Sequence, residues 1–578
     1  MRRSLKCIIA LIPAVFSFLI CSAGIVSERE AGAIARSLLY PDGVKSVLPA
    51  AKRFYVEGDT APYCYLYKGN GGKGFAIISA DDCVPPVIGH SDAGEFSAEA
   101  LPPGLQEWMD MWGRIIFSLR GENAVPYTVA ESSATSLSGT GKAAATGRKQ
   151  LETAFWGQSS PFNDLCPDFG SGRCDAGCVC TSICILMKYF GYPSKGTGTL
   201  PEYTYTDKDG VERHIAGLTL GTPYAWDSMP LKYGIQSTSA QKEAVATLMR
   251  DVGIMMKSEY DTDGTGAYIH TVTENMVRYM GFDKAAAYVL KADYTSSEWL
   301  ALIRENIDGC GPLIYAGVDK SESGHQFIID GYDGDKVHIN WGWSGSGNGW
   351  YTFPAFDKYT CGHSAVLNLK PDEGGTTRPN LVLEGDGLSA GIQEFARGAV
   401  FSLKASHLLN YSFEAYGDRI AVAHVGGNNV IKDILYSGEV NLDAYSSYEL
   451  NLPSIKIVSE INPGDYLALA CEDGEGFALI PYDKENGTVG KIVMKRPDLA
   501  YCTSVSYIQG SKTLRVTAPQ GTSFTVIYVP NGNPVHGGVN YIEDGIEIDF
   551  DMLVYADYLV RLECNGEKKE FIVKMGKK

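Results

Sequence analysis

The chain has 578 residues, 45% hydrophobic and 20% charged, enough apolar material for packed cores, which excludes disorder over most of its length. Lys and Arg number 50 against 68 Asp and Glu, a formal net charge of −18, so the basic footprint of a nucleic-acid binder is absent. At roughly 100–200 residues per domain the length implies several domains, and 14 cysteines are too few for a disulfide scaffold.

Residues 1–23 open with Arg2, Arg3 and Lys6, run almost entirely apolar from Cys7 to Ile20, and end in Cys21-Ser22-Ala23. That order is expected of an export signal cleaved after Ala23. Pro13 and the short apolar run weigh against a membrane span, and Ile20 before Cys21 weighs against a lipid-anchored form. The protein is expected to be secreted, with no membrane span.

Ser27-Glu28-Arg29-Glu30 is a capping box opening a helix that can run to Leu39. Strand-like runs follow at Arg53–Val56, Tyr63–Tyr67 and Phe75–Ser79. Leu105, Trp108, Met109, Trp112, Ile115 and Ile116 then form an apolar stripe at helical spacing. Residues 24–120 read as a small α+β unit. From 121 to 149 the composition falls to Ser, Ala, Thr and Gly, a linker expected to expose Lys142, Arg148 and Lys149 to proteases.

Residues 150–372 carry the chemistry. Val179, Ile183, Leu186 and Met187 share one helix face, and Gly191 and Pro193 end that helix. Cys178 is therefore expected at a helix N-terminus, where unpaired N–H groups and the macrodipole favour a thiolate. Gly177 removes a side chain where a substrate backbone must approach. Val245, Leu248, Met249, Val252 and Met256 mark a second helix, and the Thr295–Glu298 capping box leads a third from Trp299 to Ile307.

A cysteine nucleophile needs a base, and the base an orienting partner. His325 lies 147 residues after Cys178 (325 − 178), on the first of two apolar strands that flank Asp333-Gly334. With that dipeptide centring a hairpin, Asn340 pairs with Phe327 on the face of His325, its backbone about 7–8 Å from that of the histidine. Trp341 is then placed to shield the pair from water. His338 reads as a strand-surface histidine and His363 as structural. Cys174, Cys178, Cys180 and Cys184 lack the C-x2-C pairs usual in zinc sites, so no metal or cofactor is expected. Beyond a boundary at 371–375, residues 378–494 and 495–578 alternate strands with turns and read as two β-sandwich-like modules.

Gly177-Cys178-Val179 leading to Met187-Lys188-Tyr189 and Gly191-Tyr192-Pro193, with Gly324-His325, Phe327, Asp330-Gly331 and Asn340-Trp341-Gly342-Trp343, resembles the streptopain (C10) family of secreted cysteine endopeptidases. Trp156–Asn163 is similar to the stretch that opens the mature enzyme there. Gly74–Asp82 and Leu101–Leu105 are similar to the family's inhibitory prodomain. The resemblance implies an α+β architecture: a papain-like domain at 150–372, an inhibitory prodomain at 24–120 and a cleavable linker at 121–149. It implies Cys178 as nucleophile, His325 as general base and acid, Asn340 as its orienter and Trp341 as shield. The Gln158 amide becomes an oxyanion donor beside the Cys178 N–H. The implied activity is peptide-bond hydrolysis by a secreted zymogen that needs no cofactor. Its implied partners are protein or peptide substrates and its own prodomain, an intramolecular inhibitor.

Two departures stand out: Gln326 occupies a position where a small residue commonly follows the histidine, and Cys180 and Cys184 add thiols near the nucleophile. The tail from Tyr555 to Met575 resembles C-terminal sorting domains of type IX secretion, with Asp557 where a glycine is usual; an ordinary last hairpin is the alternative. Acyl transfer to an amine, as transglutaminases perform, uses the same residues. A catalytically silent adhesin or inhibitor is a third reading, against which the intact Cys178, His325 and Asn340 argue.

Overall fold

The computed structural model describes residues 24–574 apart from 42–47, 70–72, 96, 98–99, 122–125, 128–146, 171, 319–323, 355–361, 396–397, 475, 496–504, 509–512, 517–522, 536–537, 543–544, 550–555 and 565–566. The export signal expected at 1–23 and most of the linker lie outside the described residues.

Ser27 caps α1 (Glu28–Leu39): its hydroxyl accepts from the Glu30 N–H, and the Glu30 carboxylate accepts from the Ser27 N–H. Ala31 and Ala35 seat this helix on Tyr65, Tyr67, Ala76 and Ile78. Those residues belong to an antiparallel ladder of β1 (Lys52–Phe54), β2 (Cys64–Lys68), β3 (Lys73–Ser79) and β4 (Val87–Glu95). The apolar stripe beginning at Leu105 forms α2 (Pro103–Gly121). Beyond the linker, β5 (Arg148–Gln150) is a three-residue strand.

The next unit contains α3 (Cys178–Phe190), then β6 (Thr199–Leu200) paired with β9 (Leu218–Thr219), enclosing the hairpin of β7 (Tyr203–Thr206) and β8 (Glu212–Ile215). It continues through α4 (Ser239–Met255), α5 (Val272–Met280), β10 (Ala287–Leu290), α6 (Ser296–Gly309) and β11 (Leu313–Val318). Four strands complete it: β12 (Gly324–Asp333), β13 (Lys336–Asn340), β14 (Gly349–Thr352) and β15 (Ser364–Leu367).

One sheet runs through both units in the order β1-β2-β3-β4-β14-β13-β12-β11-β15-β10, with β5 on β12. The seam is β4 against β14, where Gly89 faces Tyr351 and His90 faces Trp350. A Cβ on Gly89 would lie 2.6 Å from the Tyr351 ring, so this close approach requires glycine.

Alternating strand residues divide between two cores. Ile314, Ile328 and Val366 join α3, α4 and α5 on one face. Leu313, Phe327, Ile329 and Trp341 join α2 and α6 on the other. The expected α+β class is the one observed.

Two corrections concern the linker and the hairpin. Residues 148–150 are not free linker: they pair with Gly331–Asp333, and the Lys149 ammonium donates to the Ile307 carbonyl and Asp308 carboxylate at the end of α6. The hairpin turn is Gly334-Asp335, with Asp333 opposite Lys336 and Gly334 at φ +60°. A bulge between Ile329 and Gly331 then leaves Asn340 opposite Ile328 rather than Phe327. At this bulge Gly331 packs against β5 so closely that a Cβ would lie 2.7 Å from the Lys149 carbonyl oxygen, which requires glycine.

Past residue 372, two sheets share one core. Leu383, Leu403, Leu408 and Ile455 come from the sheet of Leu381–Ala390, Val400–Asn410 and Ser447–Lys456. Ile420, Val422, Leu467 and Leu469 come from strands Arg419–Val425 and Tyr466–Glu472 of a five-stranded sheet. This is sandwich packing. Two four-stranded sheets follow between Val505 and Lys574, with Leu514, Val526, Tyr558 and Val560 in their core. The tail hairpin pairs Asp557–Cys564 with Glu567–Lys574.

Candidate active site

Gly177, at φ +86°, is the residue before α3, and no side chain caps the helix. A Cβ there would lie 2.7 Å from the Thr265 carbonyl oxygen, so both the backbone angle and the space demand glycine. The uncapped first turn leaves its N–H groups available to Cys178. Its thiol receives the backbone N–H groups of Gln326, Val179 and Cys178 itself, which favour the thiolate. Burial outweighs them and pushes the Cys178 thiol up, and the nearby Glu107 carboxylate adds to the rise.

Gln326, which follows the candidate base, does not line an approach to the thiol. Its side chain turns into the protein and donates to the Ser182 hydroxyl at 2.6 Å, and the Ser182 hydroxyl donates to the Cys178 carbonyl at 2.9 Å. The strand of His325 is thereby tied to the first turn of α3, which Cys178 opens.

His325 itself points the other way. Strand alternation puts Gln326 and Ile328 toward α3, and His325 and Phe327 toward α2. The His325 Nε2 lies 3.9 Å from the Glu107 carboxylate on α2. Gly104, one turn earlier, is so close that a Cβ would lie 2.9 Å from the Trp341 ring and 3.4 Å from the His325 Cβ. Trp341 is buried beneath α2, its ring meeting Trp108, Phe327 and Tyr351, and its Nε1–H donates to the Gly347 carbonyl.

Asn340 sits on the α3 face with its amide buried. Its Nδ2 donates to the Thr153 hydroxyl at 3.0 Å and the Ala154 carbonyl at 2.9 Å, and its Oδ1 accepts from the Gly342 N–H at 3.2 Å. Asn340 and His325 are thus on opposite faces of the sheet here, which the shifted register explains. Gln158 is buried near α3, and its backbone carbonyl accepts the N–H of Ala176. The structure thus draws Cys178, Gln158 and Asn340 around α3 and leaves His325 and Trp341 under α2.

His338 is not a surface residue. It is largely buried, its Nδ1 lying 2.5 Å from the Asp330 carboxylate. His363 is buried against the Tyr315 hydroxyl at 2.8 Å, and burial lowers it to about 3, so it stays neutral. Glu107, Asp330 and Thr153 were missed from the sequence. Asp330 carried a readable signal, as a carboxylate inside the apolar run Phe327–Ile329 that needs a buried partner. Among the described residues no group of three or more His, Cys, Asp or Glu could hold a metal ion, and no helix is long and apolar enough to cross a membrane.

Comparison with known proteins adds two family matches. The peptidase C10 family matches residues 156–351, and the Spi protease inhibitor family matches residues 23–116. The chain is 31% identical over 291 residues to thiol protease/hemagglutinin PrtT of Porphyromonas gingivalis, covering 49% of this chain and 33% of PrtT. It therefore spans only about a third of that relative. It is 28% identical over 337 residues to streptopain of Streptococcus pyogenes, covering 53% of this chain and 80% of streptopain. Among solved structures, a fragment of Prevotella intermedia prointerpain A has 29% identity and a TM-score of 0.46, covering 56% of this chain and 99% of that one. Active interpain A of the same organism has 32% identity and a TM-score of 0.35, covering 39% of this chain and 96% of that one.

Proposed function

The chain belongs to the peptidase C10 family and is a cysteine endopeptidase; from that premise we propose that it is exported as a zymogen whose residues 24–120 withhold His325 from Cys178 until the chain is cut between 121 and 147, ahead of β5. The observation that carries this reading is the seat of α2, whose Gly104 and Glu107 face His325 and Trp341 together.

Release of α2 removes two obstacles and lets the start of β12 at Gly324-His325 turn over, which brings the imidazole to the α3 face where Cys178 and Asn340 lie. It frees the imidazole from Glu107, and it takes away a carboxylate that disfavours the Cys178 thiolate. His325 then accepts the thiol proton, and the thiolate attacks a peptide carbonyl of a protein or peptide substrate. The oxyanion is received by the Cys178 N–H and the Gln158 amide. His325 returns the proton to the leaving amine, and a water activated by the same imidazole hydrolyses the thioester. Asn340 orients the imidazole, and Trp341 keeps water from that contact. The protein works outside the cell.

Labelling the processed enzyme with iodoacetamide tests the reading. Modification of Cys178, located by mass spectrometry, abolishes peptide hydrolysis in proportion to its extent. Full hydrolysis after complete Cys178 alkylation, or amine incorporation in place of cleavage, would refute it.

A further inference from the structure

The Asn340 amide ends a chain of hydrogen bonds whose polarity is fixed from its other end. Asp330, buried at the bulge of β12, meets one partner at each carboxylate oxygen. One oxygen faces the His338 Nδ1 at 2.5 Å, while the Gln150 amide Nε2 lies 3.1 Å from the His338 Nε2. The imidazole therefore carries its proton on Nδ1. The other oxygen accepts the Thr153 hydroxyl proton at 2.5 Å. With its single proton given to Asp330, the Thr153 oxygen can only accept, and it takes the Asn340 Nδ2 at 3.0 Å. The Ala154 carbonyl, also an obligate acceptor, takes the same amide nitrogen at 2.9 Å.

The Asn340 NH2 is thereby committed to residues 153–154, and its oxygen faces away from them, accepting the Gly342 N–H at 3.2 Å through one lone pair and keeping the other open. An amide oxygen is what a histidine N–H needs as partner. A flipped amide would set one donor against another. We propose that Thr153, Asp330 and His338 are positioning residues that fix the Asn340 amide with its oxygen available to the catalytic imidazole. This deepens the peptidase reading and rests on it.

The chain also assigns a role to the segment after the linker. Gln150 and Thr153 belong to it, and the Leu151 N–H donates to the Asp330 carbonyl at 2.8 Å. Residues 150–154 are then part of the working enzyme, and the activating cut falls before Gln150.

The test compares Thr153→Val with Thr153→Ser in the processed full-length enzyme, with rates normalised to Cys178 sites titrated by an irreversible thiol reagent so that misfolded protein does not count. Valine keeps the shape and removes the hydroxyl, so kcat falls by roughly ten- to a hundredfold with KM little changed. Serine restores kcat to near the wild-type value. A Thr153→Val enzyme with wild-type kcat per titrated site overturns the positioning role and leaves the peptidase reading standing, as does equal loss in the valine and serine variants. Absence of peptide hydrolysis in the processed wild-type enzyme overturns the peptidase reading, and this role with it.

Discussion

Trp108→Ala in α2 perturbs the contact on which the proposed zymogen depends. Trp108 is buried, and its ring has five aromatic neighbours: Phe327, Trp341, Tyr351, Phe353 and His363, with centroids 5.9–6.5 Å away. All five lie between residues 324 and 372, across the junction from α2. Truncating a buried tryptophan costs about 3–5 kcal/mol, and here most of that loss falls on the docking of α2 rather than on the fold of residues 24–120. At about 1.4 kcal/mol per factor of ten, the docked state weakens by roughly a hundred- to several-thousandfold. The assay is the rate at which purified full-length precursor processes itself, followed by gel, beside a thermal melt that reports whether the variant is folded. A folded Trp108→Ala precursor that matures no faster than wild type would refute the idea that α2 restrains the site.

Three further outcomes follow from single residues. Gly177→Ala forces alanine to φ +86° and sets its Cβ against the Thr265 carbonyl; the backbone strain alone costs about 1–2 kcal/mol, and kcat drops further as the α3 start shifts. In the precursor, the Cys178 alkylation rate rises with pH through a midpoint above the ordinary thiol value of about 8.5, because burial and Glu107 raise it; processing moves the midpoint down, and maximal reactivity of the precursor at neutral pH would contradict this. Asp293, buried between α6 and the following β-module, is raised to about 8, chiefly by burial and then by Asp483 and Glu384. The folded form holds its proton to higher pH than the unfolded form, so its contribution to stability is full below about pH 4 and is lost as pH rises through 8. Asp293→Asn flattens that decline in melts from pH 4 to 9.

What the sequence made legible was local. Ser27 and Thr295 announced their helices because a capping box is written in four consecutive residues, and both boxes form. Gly177 and the apolar spacing after it located the start of α3 at Cys178 for the same reason. The strand β4 escaped because its Gly-His-Ser-Asp run has no apolar alternation, even though its partner β3 is adjacent in sequence. The register of Asn340 escaped because the turn sits at Gly334-Asp335 and a bulge follows between Ile329 and Gly331, beside β5, and neither is written in the local apolar alternation. That slip changed the face on which Asn340 lies. His338 was misplaced for the same reason, since its partner Asp330 sits at that bulge.

The central claim is that Cys178 is the nucleophile that both frees and runs this enzyme. Incubating purified full-length precursor beside its Cys178→Ala variant tests it most directly, with cleavage in the 121–149 segment and hydrolysis of casein as readouts. The account predicts that the wild type cuts itself and then casein, while the variant stays intact and inert. Equal cleavage of casein by both proteins would contradict it.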